Sequence, residues 1–320
     1  MEAVVKGVDR WQQRHRATAF AFAVFKKFGD DRGSMLVVIL AYYGFMALFP
    51  MLLVVTTILG FVGNQRLDQS VIGSTLKQFP VYGQQIGRDV PHPLHGSLVG
   101  LIIGLFGLIY GSLGIAQAAQ HAMAQVWNVP GVARPGFLPR LARGLLFFLT
   151  VTVALGAAAG LSGLATVAGR SLIFRVLALV VDLAFNIAVA TVAFRVLTPR
   201  QVPWRDLLVG AGIAGLCYTV LVTVGTALVQ HQLRHAQAVY GQFGFVLGLI
   251  SFLGLLGTLT LYAAEINVVR HRRLWPRSIV QPPLTDADQR VLADIAREEE
   301  RRPEERVEVS FAPEAGPKSS

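Results

Sequence analysis

Six runs of the sequence are each long and apolar enough to cross a lipid bilayer, and nothing else limits the chain's folds so strongly. They fall near 34–60, 97–116, 144–164, 172–194, 207–229 and 243–268. About 20 apolar residues, rising about 1.5 Å each, cover a hydrocarbon core of about 30 Å. Inside that core every backbone N–H and C=O must be paired within its own segment, so the runs are expected to be helices. Composition agrees. Of 320 residues, 53% are hydrophobic and only 15% are charged, against about 25% charged in soluble domains. An ordinary soluble enzyme and a disordered protein are both excluded. The expected fold is an all-α integral membrane protein with six transmembrane helices and an N-terminal amphipathic helix. Three regions follow: a cytosolic segment over 1–33, a membrane domain over 34–275, and a charged, largely disordered cytosolic tail over 276–320.

Placement of the basic residues gives an orientation. The net charge is +10, which in a soluble protein would suggest nucleic acid. With the N-terminus inside, 23 of the 29 basic residues fall on the inner side. The positive-inside rule therefore puts both termini in the cytosol, and a nucleic-acid partner is not expected. Trp11, Trp127, Trp204 and Trp275 all fall on that same side, where indoles favour the interface. The apolar stretch Ala17–Phe25 is too short to span and is flanked by Arg14, Arg16, Lys26 and Lys27. It reads as a helix lying on the cytosolic leaflet. In the first external loop, Leu67, Val71, Leu76 and Phe79 recur at near-helical spacing and suggest a surface helix. Thr285 is positioned to cap a short charged helix in the tail.

Polar residues inside apolar runs are the candidate functional groups. Asp182 sits near the middle of the fourth run, where a carboxylate costs about 2.5–3.5 kcal/mol on insertion scales. Asn186 follows one turn later on the same face. The pair reads either as a substrate or proton pathway group or as a structural hydrogen bond to a neighbouring helix. Glu265 lies at the inner end of the last run, just before Arg270, Arg272 and Arg273. It fits an interfacial salt bridge or a gate. Gln117, His121 and Gln125 share one face where the second helix leaves the membrane. Arg195, Arg200, Arg205, Arg270, Arg272 and Arg273 form a basic inner rim suited to anionic headgroups. Gly100, Gly104, Gly107 and Gly111 line one face of the second run, and further glycine pairs recur at 156/160, 244/248 and 254/257. Such faces allow close helix packing, sliding during alternating access, or self-association into a homo-oligomer.

Several chemistries lack their signatures. There is no GxxxxGK[ST], no GxGxxG opening a helix after a strand, and no GxSxG elbow. His231 and His235 are four apart but have no cysteine cluster or HExxH beside them. No metal, no cofactor and no enzymatic activity are expected. Cys217 stands alone in an apolar run, so no disulfide forms within a monomer.

Four segments carry a resemblance. They read AYYGFMALFP at 41–50, AQAAQHAMAQVWNV at 116–129, RQVPWRDLLVGA at 200–211 and AVYGQFGFVLGLISFLGLLGTLTLYAAEIN at 238–267. In order and spacing they resemble the YihY/BrkB family of bacterial inner-membrane proteins, over about 28–275. The family's aromatic pair and proline in the first span are matched by Tyr42, Tyr43 and Pro50. Its Trp after the second span is matched by Trp127, and its Tyr-Gly before the sixth by Tyr240 and Gly241. The Glu ending its last span is matched by Glu265, with Asn267 after it. Through this resemblance Tyr42, Tyr43, Pro50 and Tyr240 join the pathway candidates. Gly44 and Ala47 stand where hydroxyl-bearing residues are usual, and Ala264 where a Gly usually precedes the Glu. The resemblance implies a multi-pass protein of the bacterial inner (plasma) membrane. Family members have been called virulence or serum-resistance factors, and some were once labelled ribonuclease BN. Movement of lipid or lipid-linked envelope precursors has been suggested for some.

The expected function is transport or flipping of an amphipathic or lipid-linked envelope substrate, with membrane lipids as partners. The alternative is a non-catalytic scaffold for envelope machinery, using the basic inner surface and charged tail. A nuclease is disfavoured, because no carboxylate cluster for metal-dependent phosphodiester cleavage stands in the soluble regions.

Overall fold

The structure is a computed structural model, and it describes residues 2–62, 98–167, 172–198 and 202–312. Among the described residues it is helical throughout, with no strand. The elements are α1 (Glu2–Arg14), α2 (Arg16–Asp30), α3 (Gly33–Val62), α4 (Leu98–Val126), α5 (Phe137–Val167), α6 (Leu172–Leu197), α7 (Trp204–Arg272) and α8 (Asp286–Arg297). α3 packs chiefly on α4 and α7, α6 on α5 and α7, and α2 on α7.

Helix α7 must double back on itself. Leu207 and Asn267 would stand about 90 Å apart on a straight helix, yet Asn267 Nδ2 donates to the Leu207 carbonyl at 3.2 Å. His271 meets Asp206 at 2.8 Å in the same sense. The arms Trp204–Val222 and Val246–Arg272 are therefore antiparallel, and each is long and apolar enough to cross a membrane. The third such helix is Val176–Leu197; a bent pair, Arg16–Asp30 with Gly33–Leu48, makes a fourth if it is one span. Among the described residues three helices, or four with the bent pair, are thus long and apolar enough to span, out of the six runs expected. The runs near 97–116 and 144–164 are helical within α4 and α5, but many of their side chains lie outside the described residues.

The N-terminal helix departs from its expected role. α2 meets α3 at a bend of 66°, with Arg32 in the left-handed region at φ 55. Gly33 is required there, since a Cβ would lie 2.5 Å from the Phe28 ring. Instead of resting its apolar face on a leaflet, α2 buries Ala19, Ala23, Val24, Lys27 and Phe28 inside the protein. Only part of its apolar surface, such as Phe25, points outward. Burial against α7 is the stronger outlet because it satisfies Lys27 as well as the apolar residues.

The tail is also more ordered than expected. Over 276–301 it docks on the same end of the bundle. α8 begins with a complete capping box between Thr285 and Asp288. Val291 is fully buried, and Asp9 accepts from the backbone N–H groups of Ile279 and Val280 at 3.0 and 3.4 Å. Charge density argued for solvation, but Asp288 pairs with Lys26 and Arg277, and Asp294 with Arg272. The surface helix expected near 67–79 and the chain end over 313–320 lie outside the described residues.

The buried core gathers at the end where both termini meet: Ala119–Val129, Val202–Ala211, Leu261–Leu274 and Val291 contribute most of it. Elsewhere the helices expose Leu145, Leu149, Val153, Val176, Val180, Leu216, Val220, Leu247 and Leu255. Apolar surface of that extent is unusual on a soluble monomer and suits lipid contact.

Candidate functional site

Two places on the molecule combine polar groups with apolar surroundings. The first lies between α6 and the first arm of α7. Asp182 and Asn186 share a face one turn apart. Asn186 Nδ2 donates to Asp182 Oδ2 and to Thr219 Oγ1, each at 3.1 Å. One amide thus ties an acid on α6 to a hydroxyl on α7. Asp182 is exposed on the helix surface while Thr219 is buried. Asp182 stands about 15 Å along α6 from Leu172 and about 22 Å before Leu197. Both readings of the pair therefore meet in one geometry: the amide bridges helices and the carboxylate faces outward. Gly215 stands one turn before Thr219, where a Cβ would meet Ile187 backbone at 2.9 Å. The two helices touch there nearly backbone to backbone.

The second place is the termini end. Lys27 is fully buried and donates to Asp31 and, at 3.0 Å, to the Val126 carbonyl. Glu265 is fully buried with Lys27 Nζ 3.6 Å away. Its partner is thus Lys27 from α2, and the neighbouring arginines of its own helix are engaged differently. Arg272 binds Asp294 at 2.8 Å and the Trp127 carbonyl. Arg270 and Arg273 are exposed. Trp127 is 1% exposed, so it is a core residue and not an interfacial anchor.

A pocket of about 390 Å³ opens beside this cluster, lined by His121, Gln125, Gly131, Arg134, Glu298, Glu299 and Arg301. Gln125 Nε2 donates to Glu298 at 3.1 Å. Burial pushes the Glu298 carboxyl up to about 7, with Asp31 adding to the effect and Arg134 opposing it. Burial, with Arg134 and Arg140, holds the His121 imidazole below its ordinary value. The expected strip of Gln117, His121 and Gln125 is therefore split. His121 and Gln125 line the pocket, whereas Gln117 is exposed and is not among the lining residues. Among the described residues no group of three or more His, Cys, Asp or Glu is placed to hold a metal.

Other expected residues are placed apart from both. Tyr42 is exposed and stacks edge-on with Tyr43 at 5.4 Å between centroids, while the Tyr43 ring fills the space left by Gly114. Arg195 donates to the Val202 carbonyl at 3.2 Å and sits 5.8 Å from the centre of the Trp204 ring. Arg205 is exposed. The side chains of Pro50, Tyr240, His231, His235 and Arg200 lie outside the described residues. Lys27, Asp31, Asn128 and Glu298 were not singled out from the sequence. The Lys27–Asp31 spacing of one helical turn was the available signal.

A family model described as virulence factor BrkB matches residues 24–284, which hold Asp182, Asn186, Thr219, Lys27 and Glu265 but not Glu298, Glu299 and Arg301 of the pocket. No curated protein and no solved structure matches the chain.

Proposed function

The chain belongs to the virulence factor BrkB family of membrane proteins, and on that premise we propose that it moves an amphipathic or lipid-linked envelope substrate across the bilayer. The observation that carries this reading is the Asp182–Asn186–Thr219 bridge. A carboxylate on an apolar helix face is costly, and here it borders a backbone-close helix contact at Gly215 and Ile187. Polar headgroups crossing an apolar layer need such a polar way-station, and closely packed helices offer a seam beside which acyl chains stay in lipid. The exposed Arg205, Arg270 and Arg273 supply a basic rim that would gather anionic headgroups.

The full architecture in this reading has six spans in the bacterial inner membrane, with both termini in the cytosol and no enzymatic step. The test is transport of a fluorescent envelope phospholipid in proteoliposomes. Asp182→Asn is expected to slow it by tenfold or more, about 1.4 kcal/mol on the barrier. Absence of transport by the unmutated protein would sink the proposal. A scaffold predicts the reverse pattern, with deletion of 286–320 abolishing cellular function and Asp182→Asn harmless.

A further inference from the structure

The buried cluster at the termini end holds one more acid than its cation can balance. Asp31 is satisfied at both oxygens: Lys27 Nζ donates to Oδ2, and Asn128 Nδ2 donates to Oδ1 at 3.2 Å. Glu265 differs. Neither of its oxygens accepts a hydrogen bond, and Lys27 Nζ is 3.6 Å away. Ionising Asp31 and Glu265 together would leave a net negative charge beside a single lysine, all of it at 0–1% exposure. An unbalanced ion in such a place costs several kcal/mol even after relaxation.

The remaining charges do not remove this imbalance. Lys27 and Asp31 face Glu265 from α2 and its C-terminal turn. Tyr262 and Arg272 stand on α7, with Arg272 answered by Asp294 of the tail. Glu298, also from the tail, adds a further acid near Asp31. α3 carries no charged residue.

We propose that Glu265 is a buried proton-binding site, held protonated while Lys27 and Asp31 pair beside it. Asn128 Nδ2 donates to both Asp31 Oδ1 and Glu298 Oε1, at 3.2 and 3.3 Å, so one amide holds a further acid close to the cluster. Glu298 lines the pocket, and its carboxyl, raised to about 7, supplies no cation that could balance a second buried carboxylate. With Glu265 protonated, Lys27 and Asp31 form a neutral pair, and the core carries no net charge. The site stands whether or not a lipid moves.

The test is infrared difference spectroscopy on the full chain in lipid nanodiscs. At pH about 9, where free carboxyls are ionised, a protonated-carboxyl band is expected that shifts when glutamate is labelled with carbon-13. Glu265→Gln should abolish that band, and Asp182→Asn should leave it. Glu298→Gln should retain the band. No glutamate-derived band in the unmutated protein, which needs no variant to fold, overturns the proposal. So does a band that survives Glu265→Gln. A band without lipid transport would count against the transport reading alone.

Discussion

At the scale of single residues, two acids of the tail pull in opposite directions with pH. Asp288 is fully buried and accepts from Lys26 at 2.8 Å, from Arg277 at 2.8 Å, and from Ser278 and Thr285. Burial opposes its charge, but these bonds hold its carboxyl well below the usual range. Its contribution to docking is present above the ordinary carboxylate value and is lost as pH falls through the docked one. Glu298 is the reverse: its docked value of about 7 lies above the ordinary 4.5. Its contribution is full below the ordinary value and is lost as pH rises through about 7, by on the order of 1–3 kcal/mol. Tail protection measured by amide hydrogen exchange over 286–307 should therefore be greatest in mild acid and weaken above neutrality. Glu298→Gln should flatten the alkaline limb. Asp288→Asn leaves Arg277 and Lys26 facing a neutral amide and should cost docking about 3–5 kcal/mol, read as faster tryptic cleavage after Arg297 and Arg301.

At the scale of elements, the doubled helix α7 depends on one glycine. A Cβ on Gly210 would sit 2.1 Å from the Ala263 carbonyl oxygen and 2.5 Å from Asn267 Nδ2. The Gly210 N–H donates to Asn267 Oδ1 at 2.7 Å, so the same asparagine locks both arms. Gly212 is two residues on and has nothing within 4 Å of its would-be Cβ. Gly210→Ala should lower the thermal midpoint in detergent by several degrees. Gly212→Ala should leave it unchanged or raise it slightly, since alanine gains up to about 1 kcal/mol over glycine in a helix. Equal effects of the two would mean that the arms do not meet as described. The glycine spacing on the second run drew attention to Gly111, where a Cβ would indeed lie 3.0 Å from Ala47 Cα. Gly210 and Gly215 carry contacts at least as close, but their five-residue separation fits no small-residue repeat.

At the scale of the molecule, the polar groups divide between two depths. Leu197, at the far end of α6, is buried in the core at the termini end. Asp182 is about 22 Å back along the same helix. If the termini are cytosolic, the reversal of α7 between Val222 and Val246 faces outward. A cysteine at 231, in a Cys217→Ser background, should then react with an impermeant thiol reagent added to intact cells, and one at 290 should not. The apolar spans of α6 and of the two arms of α7, and the capped helix after Thr285, were legible in the sequence, because length, hydropathy and capping are local properties that neighbouring residues state together. Asp182 and Asn186 were legible for the same reason, one turn apart in an apolar run. What the sequence could not state is which distant charges meet. Lys27, Asp31, Asn128, Glu265 and Glu298 come from four separate segments, and each alone reads as one more charged or polar group near a membrane surface. Their meaning arises only when packing removes water from all of them at once. The sequence by itself determined a helical membrane protein with a basic end. The tertiary structure decided that this end is closed by the chain's own tail over a buried acid, because desolvation is a property of the assembled core and not of any segment.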